Sequence, residues 1–204
     1  MKLGRALSWR TALVLCGLAV LAGCAQPPAA VPVPPVVAGA QSAAMPLLQL
    51  APAALGRTLA LQQQLSVRGP DGTERHLQAL LEADASEVRI ALTSMGQVLA
   101  RMHWDGAQLD VQRSRHWPQQ VEPERILSDL QLVLWPAEVI AQALPPSWQL
   151  LAQPDGSRRL LQGETARVEV RVVTPDLTEI DYLQEGWRLR ILTAPLSPTG
   201  PKAP

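Results

Sequence analysis

Between residues 59 and 193 apolar side chains recur at every second position, except across 123–144, where the spacing lengthens to that of a helix. That pattern, with its single interruption, constrains the fold more than any other feature. A period of two sends alternate side chains to opposite faces of a strand, so such segments build a sheet with one apolar face. Leu59, Leu61, Leu65 and Val67 share one face, as do Leu77, Ala79, Leu81 and Ala83. A strand is expected over 87–92. Val98, Ala100, Met102 and Trp104 define the next, and 108–113 another. Pro70-Asp71-Gly72, Ser94-Met95-Gly96 and Asp105-Gly106 separate them with residues suited to tight hairpins.

The interruption reads as two helices. Ile126, Leu127, Leu130 and Leu134 fall at helical spacing over 123–134, and Pro123 occupies a tolerated first-turn position. Trp135-Pro136 breaks this helix. A second, over 137–144, turns Val139, Ile140, Ala143 and Leu144 inward and ends at Pro145-Pro146. Strands then resume over 148–152, 158–162, 165–173, 177–183 and 187–193. Pro154-Asp155-Gly156, Pro175-Asp176 and Glu185-Gly186 provide turns between them.

The fold class is therefore mainly β, in the α+β sense. One helix pair cannot cover a flat sheet of about ten strands, and long sheets curl. The expected architecture is an open, strongly curved antiparallel β-barrel with a helical lid. Met102, Trp104, Leu127, Leu130, Leu134, Trp135, Val139 and Ile140 are the candidates to line an apolar cavity between barrel and lid. Trp and Met suit such pockets. The alternative is that these side chains simply fill the barrel, as they do in small barrels.

The N-terminus carries a different signal. Lys2, Arg5 and Arg10 precede a nearly unbroken apolar run, Thr11 to Leu21, which is signal-peptide architecture and too short for a spanning helix. The run ends in Leu21-Ala22-Gly23-Cys24, which resembles the lipobox of bacterial lipoproteins. The resemblance implies cleavage before Cys24, lipid attachment at Cys24 and stable anchoring by several acyl chains. Ala25, in the position where aspartate commonly retains lipoproteins in the inner membrane, implies sorting to the outer membrane, on its periplasmic face, by the lipoprotein sorting machinery.

The expected organisation is a signal peptide over 1–23, the acylated Cys24 with a Pro/Ala-rich tether over 24–46, one barrel domain over 47–193, and a Pro-rich, disordered tail over 194–204. Pro27, Pro28, Pro32, Pro34 and Pro35 favour polyproline II. At ~3.1 Å per residue the tether would reach roughly 60–70 Å.

Cleavage would remove three of the 18 basic residues and none of the 18 acidic ones, for a balance of 15 to 18. No basic patch points to nucleic acid as a partner. Of the two cysteines, Cys16 leaves with the signal and Cys24 is acylated, so neither a disulfide nor a cysteine metal site is expected. His76, His103 and His116 show no metal-ligand spacing, and no Gly-x-Ser-x-Gly elbow, phosphate loop or dinucleotide fingerprint occurs. Glu122, Glu124 and Asp129 are expected to favour a helix dipole rather than to act as paired acids. The chain is thus expected to be non-enzymatic and without a cofactor.

The order of strands and helices over about 55–193, together with the lipobox, resembles the LolA/LolB fold of lipoprotein carriers and acceptors. Met95-Gly96, Leu144-Pro145 and Asp155-Gly156 are the short local matches. Gly56-Arg57-Thr58-Leu59, Gln62-Gln63-Gln64-Leu65, Trp104-Asp105-Gly106, Arg125 to Gln131 and Leu134-Trp135-Pro136 resemble an uncharacterised bacterial lipoprotein family, often encoded with aryl-polyene or fatty-acid-like synthesis enzymes. These resemblances imply binding of an acyl or polyene-like hydrophobic cargo and its placement in the outer membrane. They also mark Met95, at a hairpin tip, as a membrane-contact candidate. A structural lipoprotein with a filled barrel, scaffolding an envelope complex, is the competing expectation.

Overall fold

The computed structural model describes residues 45–119 and 121–196. The expected signal peptide, Cys24, the tether up to residue 44 and the tail from residue 197 lie outside the described residues. In chain order the elements are β1 (Leu59–Arg68), β2 (Glu74–Ala83), β3 (Val88–Ser94), β4 (Gln97–Trp104), β5 (Leu109–Arg113), α1 (Pro123–Leu134), α2 (Ala137–Ala143), β6 (Trp148–Ala152), β7 (Arg158–Gln162), β8 (Thr165–Thr174), β9 (Leu177–Tyr182) and β10 (Trp187–Pro195). A short 3-10 turn, Pro52–Leu55, precedes β1.

All ten strands belong to one antiparallel sheet, in the order β5-β4-β3-β2-β1-β10-β9-β8-β7-β6. It consists of two five-stranded meanders joined where β1 pairs with β10, from Leu61↔Pro195 to Arg68↔Arg188. The edges, β5 and β6, do not pair with each other, so the sheet is not closed. The helices connect these two edges. Register shifts at Leu92/Thr93, Leu160/Leu161 and Val172/Thr174 mark irregularities of the kind that bend strands.

Turn chemistry fixes the register. Asp71, Asp84, Asp105 and Asp155 each accept a hydrogen bond from a backbone N–H two residues on, at Thr73, Ser86, Ala107 and Ser157. The bonds favour the ionised form. Backbone Thr73 holds the Asp71 carboxyl below its usual range, the Ser86 hydroxyl does so for Asp84, and backbone Gln108 for Asp105.

One face of the sheet is apolar. Leu81, Val88, Ile90, Met102, Trp104, Trp148, Leu160, Val168, Ile180 and Ile191 alternate inward from eight strands and join one core with Leu127, Leu132, Trp135 and Ile140 of the helical region. The other face is charged. Arg171 on β8 reaches Glu179 (2.8 Å) and Asp181 (2.7 Å) on β9, and Arg190 on β10 reaches Glu179 (3.0 Å). Exposed pairs of this kind add little stability. They identify this face as the solvated one. Ten antiparallel strands around a single core, without closure, are consistent with an open, curved sheet.

The helices end where proline dictates. Trp135, preceding Pro136, is extended (φ −77°, ψ 154°), so α1 cannot continue. The Arg158 guanidinium donates to the Leu132 carbonyl in the last turn of α1, where helix carbonyls lack partners and positive charge is favoured. Burial pulls the Arg158 pKa down, and Glu138 nearby opposes this.

The packed region extends past 47–193 at both ends. Met45 is buried, β10 runs to Pro195, and the Leu196 N–H donates to the Ala60 carbonyl. No helix among the described residues is long and apolar enough to cross a membrane.

Candidate functional site

Met102, Trp104, Leu127, Leu130, Leu134, Trp135, Val139 and Ile140 all belong to the central cluster or pack against it. Met102, Trp104, Leu127, Trp135 and Ile140 are buried, whereas Leu130, Leu134 and Val139 are half-buried. Met102 and Trp104 come from the inward face of β4, two residues apart. Leu127, Leu130 and Leu134 come from α1, Trp135 from the break, and Val139 and Ile140 from α2.

The periodicity of the strands and helices does not place what lies among them. Residues 45–51 lie outside the strands and helices and form a strap that contributes Met45, Leu48 and Leu50 to the core without joining the sheet. Side chains, not a strand ladder, hold its backbone. Ser128 Oγ accepts from Leu48 N–H (3.0 Å). Gln131 Oε1 accepts from Leu50 N–H (2.9 Å), and Gln131 Nε2 donates to the Leu50 carbonyl (3.0 Å). Trp104 Nε1 donates to that same carbonyl (2.8 Å), and Trp135 Nε1 donates to the Ala51 carbonyl (3.2 Å).

This arrangement explains two otherwise costly choices. Ser128 and Gln131 are buried polar residues on the inward side of α1, and Gln131 is 0% exposed. An unpaired buried amide would cost about 1–3 kcal/mol. The strap backbone is what satisfies it.

The terms that order and hold the strap are of the same order. Ordering seven residues costs about 7–14 kcal/mol of backbone entropy. Burying its three apolar side chains returns about 5–9 kcal/mol. Its five hydrogen bonds return about 3–7 kcal/mol.

A second polar cluster lies between α1 and β9. Tyr182 OH donates to Asp129 Oδ1, and the Arg125 guanidinium sits 5.7 Å over the Tyr182 ring. Arg125 Nη1 is buried with no hydrogen-bond partner. Burial raises the Asp129 pKa to about 7, against the lowering effects of Tyr182 and Arg125. The residue as a whole keeps some exposure, and its carboxyl is the enclosed end. Burial, then the Asp129 charge, push the Tyr182 pKa up as well. Asp129 therefore does not serve the helix dipole; only Glu124 lies in the first turn of α1.

Met95 is 99% exposed and sits at φ 49°, with Gly96 at φ 77°. Two successive positive φ values belong to a tight hairpin turn in which Asn-Gly is the favoured pair, so methionine departs from local preference.

The histidines have local partners. His103 Nε2 lies 2.6 Å from Glu87 Oε2, and Arg115 Nε donates to His116 Nε2 (3.0 Å). His76 Nδ1 lies 3.0 Å from Ser66 Oγ on the solvated face, and among the described residues no carboxylate is hydrogen-bonded to that ring. Two grooves, of about 430 and 330 Å³, also open on that face. Glu82, Arg89, Arg101 and His103 line one, and Gln64, Ser66, His76 and Met95 line the other.

The model of one protein family, described as "Protein of unknown function (DUF3261)", matches residues 60–195. The chain belongs to this family. No curated protein matches it.

Proposed function

We propose that this member of DUF3261 is a non-enzymatic lipoprotein, anchored through Cys24 to the periplasmic face of the bacterial outer membrane. There it binds an acyl or polyene-like hydrophobic group and assists its placement in the membrane. In this reading the open sheet is a LolA/LolB-like barrel with α1 and α2 as its lid. The observation that carries the reading is the strap. A chain segment outside the sheet lies among the apolar side chains of the core and is gripped by Ser128, Gln131, Trp104 and Trp135. A surface that holds one apolar chain segment in this way has the chemistry to hold another. Each methylene moved there from water would contribute roughly 0.8 kcal/mol.

The exposed Met95 supports the membrane step. A methionine at the tip of a stiff hairpin offers an apolar contact to a bilayer, whereas a charge there would be opposed by hydrocarbon. The experiment pairs a fluorescent fatty acid with liposomes. The wild-type chain should bind the probe and pass it on, and Met95→Glu should bind equally but transfer more slowly. Lack of probe binding would remove the carrier reading, and equal transfer rates would remove Met95 from it.

One observation favours a second reading. Trp104, Trp135 and Ile140 are buried around the strap, and both described grooves lie on the solvated face. A filled barrel of this kind would suit a structural lipoprotein that scaffolds an envelope complex.

A further inference from the structure

Gln131 and Trp104 converge on a single carbonyl oxygen, that of Leu50. Two donors from different elements, α1 and β4, aimed at one acceptor inside an apolar core form a carbonyl seat. Around it Ser128 accepts from one strap N–H and Trp135 donates to the next carbonyl. Leu48 and Leu50 fill the apolar space beside these groups.

The strap differs from the rest of the domain in how it is attached. Each strand is tied by a ladder of backbone bonds, whereas the strap up to Leu50 is held through the side chains of Ser128, Gln131 and Trp104, and a backbone bond, from Ala54 N–H, meets its last residue, Ala51. Gly56, just past the 3-10 turn, adopts φ 72° with open space around it, and there the chain turns toward β1. Only glycine takes that angle at no steric cost. A competing chain that fills the same apolar space and supplies a carbonyl to the same donors replaces the contacts the strap gives up.

We propose that residues 45–51 are a built-in occupant of the cargo site, that cargo enters by displacing them, and that the cargo is an acyl chain bearing an amide or ester carbonyl, which takes the place of the Leu50 carbonyl between Gln131 and Trp104. This rests on the carrier reading and specifies its cargo. Displacement breaks no covalent bond. It exchanges the strap side chains for an alkyl chain and the strap carbonyl for that of the cargo. Loading the site frees residues 45–51 from the core.

The test uses the full chain bearing C24S and the soluble acyl amide N-dodecanoylglycine. Amide hydrogen exchange is followed over 45–51 and, as a control for global opening, over 61–67 in β1. Saturating N-dodecanoylglycine should speed exchange at 45–51 at least tenfold and leave 61–67 unchanged. S128A, which removes the acceptor of the Leu48 N–H and leaves Gln131 and Trp104 in place, should bind a fluorescent fatty acid several-fold more tightly than wild type. Dodecyl maltoside below its micellar concentration has the same alkyl length without a carbonyl, and should leave strap exchange unchanged. An equal effect of dodecyl maltoside overturns the carbonyl preference. Binding of N-dodecanoylglycine with unaltered strap exchange overturns the displacement and leaves the carrier reading standing. Absence of binding by both wild type and S128A overturns the two together.

Discussion

Tyr182 on β9 donates its phenolic hydrogen to Asp129 on α1, tying the second meander to the first helix through a carboxyl whose pKa is raised to about 7. The unfolded carboxyl titrates near 3.8. Below that value both states hold the proton, and the contribution to stability is complete. As pH rises toward 7 the unfolded state releases its proton first, so stability falls, and the loss is complete once pH passes the folded pKa. Asp129→Asn keeps an acceptor for Tyr182 and cannot ionise. It should flatten the decline between pH 4 and 7 and be more stable than wild type at pH 8, by about 1–3 kcal/mol. Urea unfolding at several pH values measures this, and identical slopes for the two proteins would count against it.

Gln131 and Leu50 give the second prediction. Replacing Gln131 by Leu keeps the size but leaves the Leu50 N–H without its acceptor and the Leu50 carbonyl with Trp104 in place of two donors. The domain should lose about 1–3 kcal/mol. Strap amides should exchange faster by hydrogen-exchange mass spectrometry while the strands keep their protection.

At the hairpin tip, Met95→Asn installs the pair that successive positive φ values favour. Because Met95 touches little, this change should raise stability, by up to about 1 kcal/mol. A rise in the chemical-denaturation midpoint, paired with slower delivery of a bound fatty acid to liposomes, would show local stability given up for an apolar tip.

The anchor is tested at Cys24. Cys24→Ala should abolish incorporation of labelled palmitate and leave the signal uncleaved at this site. Palmitate still entering the variant would exclude Cys24 as the acceptor.

Much of the sheet was legible because its period is unambiguous. The alternation of Leu77, Ala79, Leu81 and Ala83, and of Val98, Ala100, Met102 and Trp104, placed β2 and β4 to within a residue or so. The helix boundaries followed from Pro123, Pro136 and Pro145, whose effect on the backbone is local. The role of residues 45–51 was not legible. Met45 and Pro46 fall in the expected tether and 47–51 at the start of the expected domain, before any periodic segment, and the partners Ser128 and Gln131 are 80 and 81 positions away. The only available signal was two polar residues, Ser128 and Gln131, beside Leu127 and Leu132 on what became a buried helix surface. The partner of Asp129 is hidden for a similar reason. Proximity to a helix start is visible in a sequence, whereas Tyr182 enters from a strand 53 residues later.

The strand order has a kinetic consequence. Each meander is made of neighbouring hairpins, so its pairings close short loops and can form early. The seam between them joins Leu61 to Pro195, nearly the whole length of the domain apart. Its closure entropy is recovered only once the last strand has been made, so docking of β10 onto β1 should be the late, slow event of folding. A chain truncated before β10 would retain most of its hairpins, yet expose the unpaired edge of β1 at what should be the middle of the sheet. Such an edge is a template for intermolecular pairing. The vulnerability of this fold to aggregation thus lies at its centre, and the final strand to be synthesised is the one that covers it.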